Sequence, residues 1–290
     1  MKKLTKFLIL VLCVCMLAGC TTGKTEAQVA ATTMPVWNFT TRLCEGTDIA
    51  VSRLVTESIS CLHDYSLQVS QMRTIESADM VFVSGAGLED FMGDALRQAK
   101  VVVDASEGLD LLPMAHSHEG HEDHADKDPH IWLAPENAKQ MAKNICEGLK
   151  KQYPAHADTF DKNLQNLLND LDELQTYGEE QLKDLSCREL ITFHDGFSYF
   201  AKAFDLTILE SVEEEAGSEA SAADLTGMID LVKEKHLPAI FKETNGSDAA
   251  AKVIASETGA KIFTLDMAMA GDDYFAAIRS DIDTIREALG

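Results

Sequence analysis

Four histidines fall within nine residues at His116, His118, His121 and His124, among carboxylates and without apolar anchors. Imidazoles suit zinc, copper and nickel, so such a run attracts metal ions. Without packed supports it would bind loosely and with poor geometric selectivity. The competing reading is a solvated linker. A metalloprotease helix is excluded by spacing. His118-Glu119 and His121-Glu122 each begin an HExxH pattern, but the positions that should close it hold Glu122 and Ala125.

Four scattered residues offer better-defined chemistry. His130 sits in Asp128-Pro129-His130-Ile131-Trp132-Leu133-Ala134-Pro135, an ordered loop entering a helix, and His194 lies just after a strand in Thr192-Phe193-His194-Asp195. Asp266 follows a strand over 261–265, and His63 comes in the loop after a strand over 49–55, within Cys61-Leu62-His63-Asp64-Tyr65. Two candidates fall in each half of the chain. Open α/β sheets bind ligands outside the carboxyl ends of their strands, so loops from both halves can converge on one cleft. Three imidazoles and one carboxylate would close a tetrahedral shell around zinc and leave no position for an activated water, which favours binding over catalysis. Each has another use taken singly, as a hydrogen-bonded core histidine or, for Asp266, a turn cap. His156 and His236 are read as structural. The first opens a long helix and the second ends a Lys-Glu-Lys run, where a cation suits the helix dipole.

The elements that position these residues are read from periodicity. Short valine-rich strands at 35–37, 49–55, 80–84 and 101–104 alternate with helical stretches, and strands at 189–193, 207–211, 239–242 and 261–265 repeat the arrangement. This alternation predicts an α/β fold of two lobes, each with a parallel sheet. Ser221 and Asp224 form a capping-box signature, and Pro135 occupies the first turn of a helix running to about residue 149. Between the lobes Phe160, Leu164, Leu167, Leu171 and Leu174 recur at spacings of four and three, predicting a long amphipathic helix over 156–185 with Gly178 as its weak point. A helix of this length is a stiff strut, so large hinge closure is not expected. The organisation is then a signal over 1–19, a tether over 20–32, a first lobe over 33–153 with the His-rich loop at 115–127, a linker helix over 154–186 and a second lobe over 187–290.

Lys2, Lys3 and Lys6 precede an apolar run that stops at Leu17-Ala18-Gly19-Cys20, the order of an export signal. The run is too short to cross a bilayer core, which needs on the order of 20 apolar residues. The ending resembles a bacterial lipoprotein box, which implies a lipid on Cys20 and an extracytoplasmic location on the cell membrane. Loss of the three lysines takes the formal charge from −23 to −26, which repels nucleic acid and anionic lipid and weakly favours a cationic ligand. Cys44, Cys61, Cys146 and Cys187 remain, without CxxC spacing, to pair or to stay as free thiols.

Several ordered motifs together resemble the zinc and manganese group of solute-binding proteins that serve bacterial ABC importers. They are His63-Asp64-Tyr65, the stretch from Ser77 to Glu89, Asp128 to Leu133, Thr192 to Asp195 with Tyr199 to Lys202, Ser221 to Asp224, and Glu257 to Asp266. The resemblance spans nearly the whole chain after the signal. It implies two Rossmann-like lobes joined by a rigid helix with the metal between them, ligands at His63, His130, His194 and Asp266, and an acidic His-rich loop of the zinc type. It also implies a monomer that hands its ion to a permease and its ATPase. Manganese members usually place glutamate where His194 stands, and nitrogen there favours Zn²⁺ over Mn²⁺. Two positions depart from the pattern. Ser60-Cys61-Leu62 precedes His63 where Asp-Pro is usual, leaving Cys61 either a buried thiol or a sulfur near the site, and Met267 follows Asp266 where proline is common. The rivals are a manganese or iron receptor of the same group, an exported zinc hydrolase with an open coordination position, and a surface adhesin.

Overall fold

Alternating strands and amphipathic helices build two four-stranded sheets, parallel throughout. The computed structural model describes residues 28–57, 62, 65–114, 127–213, 221–244 and 248–290. The signal, Cys20, Cys61, His63 and the four histidines of the 116–124 run lie outside the described residues.

The first sheet has the order β2-β1-β3-β4, from β1 (Val29–Ala31), β2 (Val51–Arg53), β3 (Met80–Val83) and β4 (Val102–Asp104). Its helices are α1 (Met34–Leu43), α2 (Val69–Ser77), the short α3 (Gly93–Leu96) and α4 (Pro135–Gln152). Two expectations are corrected here. Residues 35–37 are not a strand but the first turn of α1, where Pro35 follows an extended Thr33 and Met34, Val36, Phe39 and Leu43 form one buried helical face. The first strand is instead Val29–Ala31, buried at all three positions, so the expected 20–32 tether does not extend past residue 28.

The second sheet repeats the pattern as β6-β5-β7-β8, from β5 (Glu189–His194), β6 (Thr207–Glu213), β7 (Ala239–Glu243) and β8 (Lys261–Leu265). In both sheets the chain leaves its first strand in one direction and then doubles back to the other side. That reversal opens a crevice at the carboxyl ends of β1 and β5, where ligands of open α/β sheets bind. Between the sheets runs α5 (Ala157–Leu182), and the second lobe is completed by α6 (Ser198–Ala203), α7 (Ala222–Lys235), α8 (Asp248–Thr258) and α9 (Tyr274–Leu289). Ser221 caps α7, accepting from the Asp224 amide while the Asp224 carboxylate accepts from the Ser221 amide.

The linker helix buries Phe160, Leu167, Leu171, Leu174 and Leu182 against both lobes. It is tied to the first lobe by Arg42 to Asp170 and by Asn163 donating to the carbonyls of Leu43 and Glu45, and to the second by Tyr177 donating to Asp283 at 2.8 Å. Gly178 is a packing position rather than a weak point, because the Phe204 ring occupies the space a Cβ would need. One continuous apolar core runs from β1 through α4 and α5 to α9. The lobes are therefore halves of one packed body, with separate smaller cores only on their outer faces.

Candidate metal centre

His194 is the last residue of β5, the strand at the switch point of its sheet, and it is almost fully buried. Its backbone N–H donates to Oε1 of Glu243, the last residue of the neighbouring β7, which fixes where the strand ends. His130 enters from the first lobe on the loop before a short 3-10 helix (Ile131–Leu133) that leads into α4. Asp128 shapes that loop: its Oδ1 accepts from the His130 backbone N–H at 2.9 Å and faces His130 Nδ1 at 2.8 Å. With Nδ1–H held by a carboxylate, His130 turns its Nε2 lone pair outward, the arrangement that orients metal-ligating histidines.

That nitrogen meets the other lobe. His130 Nε2 and His194 Nε2 stand 3.2 Å apart, with the rings edge to face. Two nitrogens each about 2.0–2.1 Å from a tetrahedral zinc lie roughly 3.3 Å apart, so the pair already has the spacing of two zinc ligands.

Gly196 closes the space around the pair. A Cβ at this position would lie 2.7 Å from Met267 Cε, 2.8 Å from His194 Cδ2 and 3.0 Å from His130 Nδ1. Met267 brings the β8–α9 loop to the same place, and Asp266 begins that loop. The Asp266 backbone N–H donates to Asp281 Oδ1 at 2.8 Å, and its own Oδ1 accepts from Ala268 N–H at 2.9 Å. Burial raises the Asp266 carboxyl above its usual range, and raises the fully enclosed Asp281 well above it. Among the described residues no group of three or more His, Cys, Asp or Glu side chains is arranged to hold a metal ion. Of the four expected ligands, then, the structure joins His130 and His194 directly, sets Asp266 on the bordering loop with its carboxylate turned to its own backbone, and does not describe His63.

Side chains that cross the interface were not foreseen. Trp132 Nε1 donates to the Met267 carbonyl at 2.8 Å, while Tyr274 Oη donates back to the Trp132 carbonyl at 2.7 Å. Tyr199 Oη accepts from Leu112 N–H and donates to the Asp128 carbonyl. The one sequence signal for this support was an aspartate two residues before His130. Cys44, Cys146 and Cys187 are free thiols, and burial pushes Cys44 up to about 12 and Cys146 up to about 11. His236 ends α7 in a left-handed conformation, and His156 contacts Asp48.

Two parallel α/β lobes, a rigid linker helix and an imidazole pair in the crevice between them define the class: a two-lobe solute-binding protein. A family model described as ZnuA, zinc-uptake complex component A, periplasmic, matches residues 29–288, and the chain belongs to that family. The manganese ABC transporter substrate-binding lipoprotein PsaA of Streptococcus anginosus is 27% identical, the match covering 100% of this chain and 99% of that protein. The zinc-binding protein AdcA of Streptococcus pyogenes is also 27% identical over 90% of this chain, which spans only 56% of that longer protein. A crystal structure of ZnuA superposes with a TM-score of 0.80 at 27% identity, covering 91% of this chain and 100% of that one. No helix among the described residues is long and apolar enough to cross a membrane.

Proposed function

We propose that this chain is an extracytoplasmic receptor, anchored by lipid on Cys20, that captures Zn²⁺ and delivers it to the permease and ATPase of an ABC importer. The observation that carries the reading is the 3.2 Å approach of His130 Nε2 and His194 Nε2, one from each lobe, at the spacing of tetrahedral zinc ligands. Family membership and the zinc-binding relatives support the same cargo. His63 and Asp266 complete the shell in this reading, and the loop carrying His116, His118, His121 and His124 is an accessory collector. A shell filled by four side chains has no place for an activated water, so the receptor makes and breaks no bond. Neutral imidazoles are required, so affinity falls as pH drops through the ordinary histidine range, about 6.5. Because the lobes share one core, release requires the importer to disturb the interface rather than a free hinge motion.

The rival cargo is manganese, favoured by the manganese-binding relative that matches over its whole length. Metal competition on the chain from Cys20 onward separates the two. One tight zinc per chain that outcompetes manganese is expected, with loss of tight binding in His130→Ala and His194→Ala. Preference for manganese, or tight zinc binding that survives both substitutions, would overturn the reading.

A further inference from the structure

The loop after Asp266 belongs by sequence to the second lobe, yet it is held by the first. Arg53, the last residue of β2, reaches across with its side chain only 8% exposed. Its Nε donates to the Val55 carbonyl of its own lobe, Nη2 to the Met269 carbonyl at 2.7 Å and Nη1 to the Gly271 carbonyl at 2.5 Å. Two further donors of the first lobe grip the same loop, Trp132 at the Met267 carbonyl and Asn38 at the Asp272 carbonyl at 3.0 Å. The carbonyls of residues 267, 269, 271 and 272 are thus all taken by side chains from the opposite lobe. The loop is also conformationally demanding, since Ala268 (φ 52°) and Gly271 (φ 69°) are both left-handed. Asp266 Oδ1 bonds the Ala268 amide within this turn, so the carboxylate's position depends on how the turn is held.

We propose that Arg53 is a positioning residue of the metal site, which clamps the Asp266 loop to the first lobe and so slows escape of the bound ion. The proposal rests on the receptor reading above and adds a residue that touches no metal. A guanidinium fork suits the task because its rigid, planar donors can serve three carbonyls at once, which a lysine ammonium on a flexible stem cannot.

The test is stopped-flow loss of Zn²⁺ to excess chelator from the chain beginning at Cys20, unmodified and as Arg53→Met, Arg53→Lys and Asn163→Ala. Asn163 also donates to two backbone carbonyls, those of Leu43 and Glu45 at the end of α1 and none in the loop, and serves as the control for general loosening. Arg53→Met should raise the dissociation rate about tenfold, the size of one lost charge-assisted bond, and leave the association rate unchanged. Arg53→Lys should fall between, and Asn163→Ala should not move the rate. With Co²⁺ as spectroscopic probe, Arg53→Met should alter the visible ligand-field bands and Asn163→Ala should not. Equal dissociation rates in Arg53→Met and the unmodified chain, or equal acceleration by Asn163→Ala, would overturn the proposal. If Arg53→Met does not fold, an unmoved rate in Arg53→Lys overturns it equally. Failure of the unmodified chain to take up zinc would instead sink the receptor reading beneath it.

Discussion

Asp128→Ala removes the group that aims His130, and its effect should divide sharply between the metal-free and zinc-loaded states. Asp128 is fully buried, its Oδ1 accepts two hydrogen bonds from His130, and its Oδ2 finds no hydrogen-bond partner among the described residues. In the metal-free protein truncation leaves the buried His130 backbone N–H and Nδ1–H without their acceptor, offset in part by relief of the carboxylate's own desolvation, so it should cost about 1–2 kcal/mol of stability. The loaded state differs, because a cation on Nε2 makes the imidazole a stronger donor to the carboxylate. Outer partners of this kind are worth about 10–100-fold in metal affinity, or about 1.4–2.7 kcal/mol. Asp128→Asn keeps an acceptor without the charge and should fall between. The Tyr199 bond uses the backbone carbonyl of Asp128 and survives either change. Competition against a chromogenic chelator gives the affinity, and thermal melting with and without zinc gives the split. A truncation that lowers metal-free stability while leaving zinc affinity unchanged would refute the reasoning and make Asp128 ordinary scaffold.

Gly196→Ala should weaken zinc binding at least as strongly as loss of Asp128, because its methyl group would press on both histidines and Met267; isothermal titration of the variant checks this. Glu89 is enclosed beneath Thr32, Ser84 and Gly85, and burial raises its carboxyl to about 7. Its ionised form is therefore disfavoured by the fold: the contribution to stability is whole below about 4.5 and is lost as pH rises through about 7. By linkage the unmodified metal-free protein should lose about 3 kcal/mol from this group across that window, and Glu89→Gln should lack that slope in denaturant titrations. Gly178→Ala would stabilise an isolated helix by about 1 kcal/mol, yet against the Phe204 ring it should destabilise the protein by about 1–3 kcal/mol, a sign readable from the melting temperature. Cys44 and Cys146 should resist alkylation in the native state and react only in denaturant, since burial suppresses their thiolates; mass spectrometry of labelled protein measures it.

The sequence carried the periodic elements well and the junctions poorly, for physical reasons. Strands β3 to β8 were legible because in each of them two or more large or β-branched apolar residues lie together between turn signals, and α5 because its leucines recur at helical spacing. The strand Val29–Ala31 is three small residues long, too little for any periodic signal, and only its central place in the sheet makes it a strand. Residues 35–37 misled for the opposite reason: valine and tryptophan there have strand propensity, but the proline and the buried face that continues to Leu43 decide for helix.

His130 and His194 could be singled out because each lies where an ordered loop or strand ends, and their meeting follows from the matching switch points of two sheets with the same strand order. What holds them at that separation was beyond reach. Trp132 and Met267 are 135 residues apart, and Arg53 and Met269 are 216 apart, and neither pair has any local pattern that announces its partner. These bonds exist only because the lobes pack on one continuous core. The proposed cargo therefore rests on residue types at the crevice, whereas the proposed control of its release rests on contacts that only the folded interface creates.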